Sequence, residues 1–434
     1  MQLFDTLSRI QSEHGYLPME ELKGVAHKAG LSLPEVIGAA SFYSFFSFEP
    51  GAKAEHIENI YPCRMTGPIT GVEGEYEWSA LEKARSDPGS VIPAVKASGL
   101  TGRSGGGFPT GIKWELTAEE DSDTKYVVCN ADEGEPGTGK DRVILSRNPN
   151  SVIEGMAICA AAMGAEEGYI YLRGEYADLR ESLEKAIEEA PLGDFKLNVC
   201  MGHGAYVCGE ETALLNSIEG RRGETRLKPP YPGAAGLWGR PTVVNNVETF
   251  ACIPYIISGG DPASGIYTVF GCVGSPGVYE TGKVQTVSEL LALAGGAEEN
   301  VRAVLTGGGS GTLLPYERVK DMPFTPADCK EFGASYGTAS LRFISKAENL
   351  VDVVRELMEF FAEESCGTCS PCRSGIPQLG GILKDIQQRG AYPDDIEKLR
   401  DTALHIRQNA RCGLGQAAVT PLLSLIENFP EVMT

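Results

Sequence analysis

Histidine is scarce in this chain, with five in 434 residues (His14, His27, His56, His203 and His405), and their dispersal leaves no metal-ligand spacing among them. Basic residues are outnumbered, 38 Lys and Arg against 59 Asp and Glu, for a formal net charge of −21. That deficit excludes a general nucleic-acid-binding role, which needs a basic footprint, and argues against docking on anionic lipid. No stretch reaches the ~18 consecutive apolar residues of a membrane span. Even residues 157–162 are bracketed by Glu154, Glu166 and Glu167. The opening MQLFDTLSRIQSEHGYLP is acidic and amphipathic, without the basic-then-apolar pattern of a secretory signal. The expectation is a cytosolic chain with no direct membrane insertion and no nucleic-acid partner.

Glycine and cysteine are plentiful, at 53 and 12. A reducing compartment turns attention from disulfides to metal and redox roles. Cys63, Cys129, Cys159, Cys200, Cys208, Cys252, Cys272 and Cys329 are scattered among apolar neighbours and read mostly as small buried hydrophobes. Cys366, Cys369 and Cys372 are clustered, and Cys412 follows.

Four segments emerge along the chain. Residues 1–60 read as a helical module: Leu3, Leu7 and Ile10 repeat at helical spacing, as do Leu22, Val25 and Ala26. Ser32 and Glu35 form a capping box, and the stripe is expected to run on through Phe42 to Phe46 as an aromatic face, packed within the module or used for docking. Residues 50–93 are proline-punctuated and read as a connector leading into 61–255, where strands and helices alternate. Strands are expected at 125–131, 168–174 and 195–199 and helices at 151–163 and 176–189, the alternation of a parallel α/β sheet. Residues 256–335 read as a small α+β domain, with a strand–turn–strand around Ser275-Pro276-Gly277, a helix near 287–294 and a strand at 301–308. Residues 336–434 read as helical, with Leu350, Val353, Val354, Leu357, Phe360 and Phe361 in one stripe.

The strongest chemical signal is ESCGTCSPCRSG at 364–375. Three cysteines at C-x-x-C-x-x-C can ligate three corners of a cubane cluster. Cys412 can return as the fourth ligand if the intervening segment is a helical hairpin. Structural zinc is the rival, although zinc ordinarily takes paired C-x-x-C ligands. GRSGGGFPTGIKW at 102–114 leaves backbone N–H groups open to a phosphate, with Arg103 and Lys113 as cations and Phe108 as a ring, but a glycine-rich turn can equally be structural. CNADEGEPGTGKDR at 129–142 puts Asp132, Glu133 and Glu135 just past a strand end, where open α/β sheets bind ligands. AYVCGEETALLNSIEG at 205–220, RLKPPYP at 226–232 and PTVVNNVET at 241–249 add acids, a Lys228–Tyr231 pair and an asparagine turn. GGGSG at 307–311 reads only as a flexible turn.

Together, over residues 75–430, these motifs resemble the NADH-oxidising flavoprotein subunit of respiratory complex I, a family that includes the diaphorase subunits of NAD-dependent hydrogenases and formate dehydrogenases. The resemblance implies a Rossmann-like flavin/NADH domain, a small ubiquitin-like α+β domain and a helical bundle carrying a 4Fe–4S cluster on Cys366, Cys369, Cys372 and Cys412. It implies FMN contacts at Gly102, Arg103, Gly105, Lys113, Asn130, Asp132, Glu133, Tyr206, Gly209, Glu210, Asn245, Asn246 and Thr249. It places NADH at Phe108, Glu135, Glu211 and Lys228, with Glu135 and Glu211 orienting the nicotinamide end. The loop reads RSGGG where relatives typically read RGGAG, Leu116 replaces a common aromatic, and Tyr231 replaces a phenylalanine. Residues 1–60 resemble the helical part of the thioredoxin-like 2Fe–2S partner subunit. Four cysteines of that partner are missing, so no 2Fe–2S cluster is expected unless a separate subunit supplies one. The implied activity is hydride exchange between NAD(H) and FMN, then single-electron transfer through the 4Fe–4S cluster to other redox subunits. The implied location is cytoplasmic, with membrane association through those subunits. A flavin-based bifurcating role with the same cofactors and a non-catalytic zinc-holding scaffold are the alternatives.

Overall fold

The computed structural model describes residues 2–51, 60–71, 74–260 and 265–433; His56 and part of the 50–93 connector lie outside them. The described residues form ten strands: β1 (Cys63–Met65), β2 (Tyr126–Ala131), β3 (Glu167–Leu172), β4 (Lys196–Met201), β5 (Thr242–Asn246), β6 (Gly265–Gly271), β7 (Gly277–Thr281), β8 (Val301–Thr306), β9 (Thr312–Pro315) and β10 (Ser340–Ser345).

β2 to β5 make a wholly parallel sheet in the order β4-β3-β2-β5. That is the 3-2-1-4 winding of a Rossmann half, and the order reverses between β2 and β5. The strands alternate between two cores, as their period of two requires. Val127, Cys129, Ile170, Leu172 and Val243 face helices Pro149–Met163 and Val247–Ile257. Val128, Tyr169, Tyr171 and Val244 face the other way. The two helices cross at backbone contact: a Cβ at Gly155 would stand 2.0 Å from the Phe250 carbonyl oxygen.

The second face is covered by the amino-terminal module, helices Gln2–His14, Met19–Ala29 and Leu33–Ala40. The Ser32–Glu35 capping box is present. The expected continuation through Phe46 is not helical, because the helix ends at Ala40 and the chain turns to bond the sheet's loop instead. Ser44 N–H donates to Gly204 O (3.0 Å) and Phe45 N–H to His203 O (3.2 Å). Tyr43 Oη reaches Ser217 Oγ at 3.0 Å. The aromatic face is therefore a docking surface satisfied within the chain. Phe4, Tyr43 and Phe46 surround the His203 ring at 5.1, 5.8 and 5.1 Å.

Burial in that cage lowers the His203 pKa from 6.5 to about 4. Between those values the unfolded chain takes up a proton that the folded chain refuses. Stability is thus expected to fall as pH drops from about 6.5 to about 4, by about 3 kcal/mol in all. Urea unfolding of wild type and His203→Phe across that window tests it; equal pH slopes would remove His203 as the cause.

The other sheet has six strands in the order β1-β7-β6-β10-β8-β9. It draws β1 and β10 from outside the 256–335 segment read from sequence. One face closes on Leu290, Leu291 and Phe324. The other meets the carboxy-terminal helices through Ala303, Leu305 and Ile344 packed against Val354, Leu357 and Leu422. The segment expected as one helix at 176–189 is a short 3-10 stretch, Gly174–Leu179, leading into Arg180–Glu189.

Candidate flavin and iron–sulfur sites

The carboxyl ends of β2 and β5 lie side by side at the switch point, where open α/β sheets bind ligands in a crevice, and five of the sequence motifs converge there. The glycine-rich loop closes on itself through Gly102 N–H to Phe108 O (2.9 Å). Gly105 and Gly107 adopt left-handed φ of +103° and +60°, and added Cβ atoms at Gly106 and Gly107 would meet nothing within 4 Å. The loop is an open cradle of backbone N–H groups, and Phe108 stands 49% exposed at its edge. Its floor is tied to the β5 end by Arg103 N–H donating to Thr249 Oγ1 (3.1 Å). Arg103 turns its side chain inward, with Nε 3.7 Å from Glu248.

Beyond β2, Asn130 Nδ2 donates to Gly209 O (2.7 Å), joining the acidic motif to the 205–220 motif. Asp132 Oδ2 is buried without a hydrogen-bond partner, and burial pushes its carboxyl well above the usual range, against the pull of Arg173. An orphaned buried acid just past the carboxyl end of β2, next to Gly209, fits a polar ligand donating into the crevice. Glu133 has another duty: it accepts from Asp141 N–H (2.8 Å), Arg142 N–H (3.0 Å) and Tyr176 Oη (2.9 Å), capping helix Lys140–Arg147. Burial pushes Glu133 up to about 7. Asn245 Oδ1 accepts from the Trp114 indole (2.8 Å), and Asn246 Nδ2 donates to Asp141.

Glu135 crosses to the six-stranded sheet. Its carboxylate takes Ser310 N–H (2.6 Å) and Ser310 Oγ (2.7 Å), and it also accepts from Tyr206 Oη. The GGGSG turn, read from sequence as merely flexible, thus holds the Glu135 carboxylate. Gly308 allows the approach, since a Cβ there would lie 2.6 Å from Glu135 Cγ. On the opposite wall Glu211 sits between Lys113 Nζ (3.1 Å) and Lys228 Nζ (3.0 Å). Burial would raise its pKa, but the two ammonium groups outweigh burial and hold it ionised below the usual carboxylate range. Lys113 also donates to Val244 O (2.9 Å). Glu210 caps helix Glu211–Ile218 through Thr212 and Ala213 N–H and pairs with Lys228 (2.8 Å).

Sequence reading missed a buried charge network beneath the crevice. Lys140 Nζ, 1% exposed, lies 2.6 Å from Glu248, 3.1 Å from Asp141 and 3.4 Å from Asn246 Oδ1. A KD pair opening a helix looks like solvated surface in one dimension; its place directly after GTG, at the end of a β-loop, was the available signal.

Cys366, Cys369, Cys372 and Cys412 line one cavity with Val207, Thr225 and Leu414. The intervening segment is the expected hairpin, Ile376–Arg389 and Pro393–Asn409. A Cβ at Gly415 would stand 2.3 Å from Cys372 Sγ. Burial alone would raise Cys369, but the N–H groups of Arg411 and Cys372 outweigh it and hold the thiol below its ordinary value. Structural zinc ordinarily takes paired C-x-x-C ligands, whereas three cysteines at C-x-x-C-x-x-C with a fourth brought back by a hairpin suit a cubane cluster. Four thiols around a volume fit a cluster. Segment Tyr206–Gly209 serves both sites: Tyr206 and Gly209 face the crevice, and Val207 lines the thiol cavity.

A parallel-sheet crevice abutting a four-thiol helical lobe is the architecture of a nucleotide-dependent redox protein. Residues 95–255 match the Nuo51 FMN-binding domain, 352–434 the NADH-ubiquinone oxidoreductase-F iron–sulfur binding region, and 1–72 the thioredoxin-like 2Fe–2S ferredoxin. NADH-quinone oxidoreductase F-subunit 2 of Rhizobium meliloti is 39% identical over 381 residues, covering 81% of this chain and 90% of that protein. The corresponding F-subunit of Escherichia coli is 39% identical over 383 residues, covering 82% and 86%. The alpha component of the NAD-reducing hydrogenase HoxS of Cupriavidus necator is 39% identical over 369 residues, covering 80% and 60%. A solved NAD+-reducing nickel–iron hydrogenase in the air-oxidised state has a chain that superposes with a TM-score of 0.89 at 29% identity, covering 99% of this chain and 92% of that one. The chain belongs to the family of NADH-quinone oxidoreductase F-subunits. The segment matched to the thioredoxin-like model holds a single cysteine, Cys63.

Proposed function

We propose that this chain is the NADH-oxidising subunit of a multisubunit oxidoreductase, with FMN and NADH in the switch-point crevice and a 4Fe–4S cluster on Cys366, Cys369, Cys372 and Cys412. The observation that carries the reading is the Tyr206–Gly209 segment, which borders the crevice and the thiol cavity at once. Held there, FMN would supply hydride acceptance from NADH and single-electron donation to a cluster on the four thiols. The chain's own residues bind and orient. The 102–107 loop offers N–H donors to a phosphate, and Lys113 places a cation at the floor. Glu211, held ionised by two lysines, and Glu135, clamped by Ser310 and Tyr206, orient the nicotinamide end rather than move protons. Carboxylates in the crevice disfavour a 2′-phosphate, so NADH is preferred over NADPH. The same geometry serves NAD+ reduction when a partner supplies electrons.

No helix among the described residues is long and apolar enough to cross a membrane. Cytoplasmic location, with membrane attachment through other subunits, completes the reading. A 2Fe–2S centre, where the complex uses one here, comes from another subunit.

Phe108 is exposed at the cradle's edge and offers its face to the adenine. Phe108→Ala should raise the NADH KM severalfold, with flavin content of the purified protein nearly unchanged. Unaltered NADH kinetics would remove Phe108 from the site.

A further inference from the structure

We propose that the basic rim of the four-thiol cavity is the docking surface for a redox protein that presents an acidic surface around its own centre; this rests on the cavity holding the cluster. In a chain of net charge −21, segments 365–375 and 402–416 contain Arg373, His405, Arg407 and Arg411 and no Asp or Glu. Arg373, Arg407 and Arg411 are exposed and form no ion pair among the described residues, whereas Arg226 and Arg389 are paired with Glu219 and Asp395.

Two of the three are fixed beside the thiols and Arg407 lies four residues before Arg411, on a rim where Glu224 accepts from Thr368 Oγ1 (3.1 Å). Arg373 Nη1 donates to Gly367 O at 2.7 Å, fixing it on the cysteine loop. Arg411 lines the cavity beside Cys412. Arg407 follows Ile406, whose Cδ1 lies 2.8 Å from the Cβ position of Gly375, so its turn packs on the Cys372 segment. Exposed Arg222 closes the rim by donating to Cys366 O (2.9 Å). Cys366 and Cys372 are buried, whereas Cys369 and Cys412 are half-buried, so the cavity is most open beside Arg411. Cations at the carboxyl end of helix Pro393–Asn409 would complement its dipole, which accounts for Arg407 but not for Arg373 or Arg222. Unpaired like charges around an electron exit steer an oppositely charged partner and set its orientation.

The test uses the full chain, loaded with flavin and cluster, and two protein probes. A photoreduced plant-type 2Fe–2S ferredoxin, acidic, delivers electrons to the oxidised protein; basic mitochondrial cytochrome c withdraws them from the NADH-reduced protein. Arg407→Glu/Arg411→Glu should slow the ferredoxin reaction at low salt by about tenfold or more and speed the cytochrome reaction. An unchanged ferredoxin rate, or a parallel fall in both, overturns the proposal. In the unmodified protein, rising salt should slow the ferredoxin reaction steeply; a flat response overturns it whether or not the variant assembles its cluster. Loss of binding to phosphatidylglycerol vesicles in the variant, with ferredoxin rates unaltered, would assign the rim to lipid and overturn it too. An unmodified protein with no reducible cluster by EPR would instead fail the functional reading beneath it.

Discussion

Cys369→Ser should abolish the EPR signal of the reduced cluster while NADH still bleaches the flavin. Cys369 is the thiol that its surroundings favour as thiolate, because the N–H groups of Arg411 and Cys372 point at its sulfur. Thiolate is the ligating form, and hydrogen bonds to sulfur are among the groups that set a cluster's potential. A serine oxygen is shorter and harder, and its alkoxide is far less accessible at neutral pH. The crevice is built from other groups: Asn130 bonds to Gly209, Glu135 to Ser310 and Tyr206, and Lys113 to Glu211 and the Val244 carbonyl, none of them to Cys369. Iron content and the EPR signal should therefore collapse with flavin content intact. Loss of NADH bleaching with flavin still bound would mean that the thiol lobe takes part in the first transfer, against the order proposed.

Lys140→Met is expected to be the most damaging single change to the fold of the crevice. Methionine nearly matches the volume and leaves Glu248 and Asp141 facing each other without the cation between them. Removing one partner of a buried ion pair costs about 3–5 kcal/mol. Burial disfavours the Lys140 charge, but Asp141 and Glu248 outweigh it and raise its pKa, so the network depends on that ammonium. In the variant, a carboxyl must be protonated to fold, its folded pKa lying above its unfolded one. The deficit should be largest at neutral and alkaline pH and shrink as pH falls toward 5. Asn246 and Glu248 would lose their anchor, and with them the Arg103 and Thr249 contacts under the glycine loop, so flavin content should drop as well. Urea midpoints at pH 5 and 8, with flavin per chain, test this. A loss of under about 1 kcal/mol at pH 8, typical of surface changes, would show that the network carries little.

Much of the candidate site is legible in the sequence because its motifs are local. Each glycine-rich or acidic motif is contiguous, and the strands before them, β2, β3 and β4, announce themselves as short apolar runs. Illegible parts depend on contacts far apart in sequence. Lys140 meets Glu248 across 108 residues, and Ser310 meets Glu135 across 175. β1 joins its sheet only by pairing with β7, and three residues in a proline-rich connector carry no strand signal of their own. Phe42 to Phe46 continue the apolar stripe of the helix before them, yet backbone bonds from Ser44 and Phe45 to Gly204 and His203 turn them away from the helix path. Glu133 and Glu210 show the opposite case: both stand in motifs that imply ligand contact, while their carboxylates cap helices.

The central claim is that one chain carries electrons from NADH through a flavin to a cluster on its own four thiols. Anaerobic titration of the purified full chain with NADH, followed by visible absorption and EPR, with flavin, iron and zinc measured on the same sample, tests it most directly. The account predicts a bound flavin that bleaches on adding NADH, iron but no stoichiometric zinc, and a cluster signal that grows in with the bleaching. A colourless protein holding one zinc would contradict it.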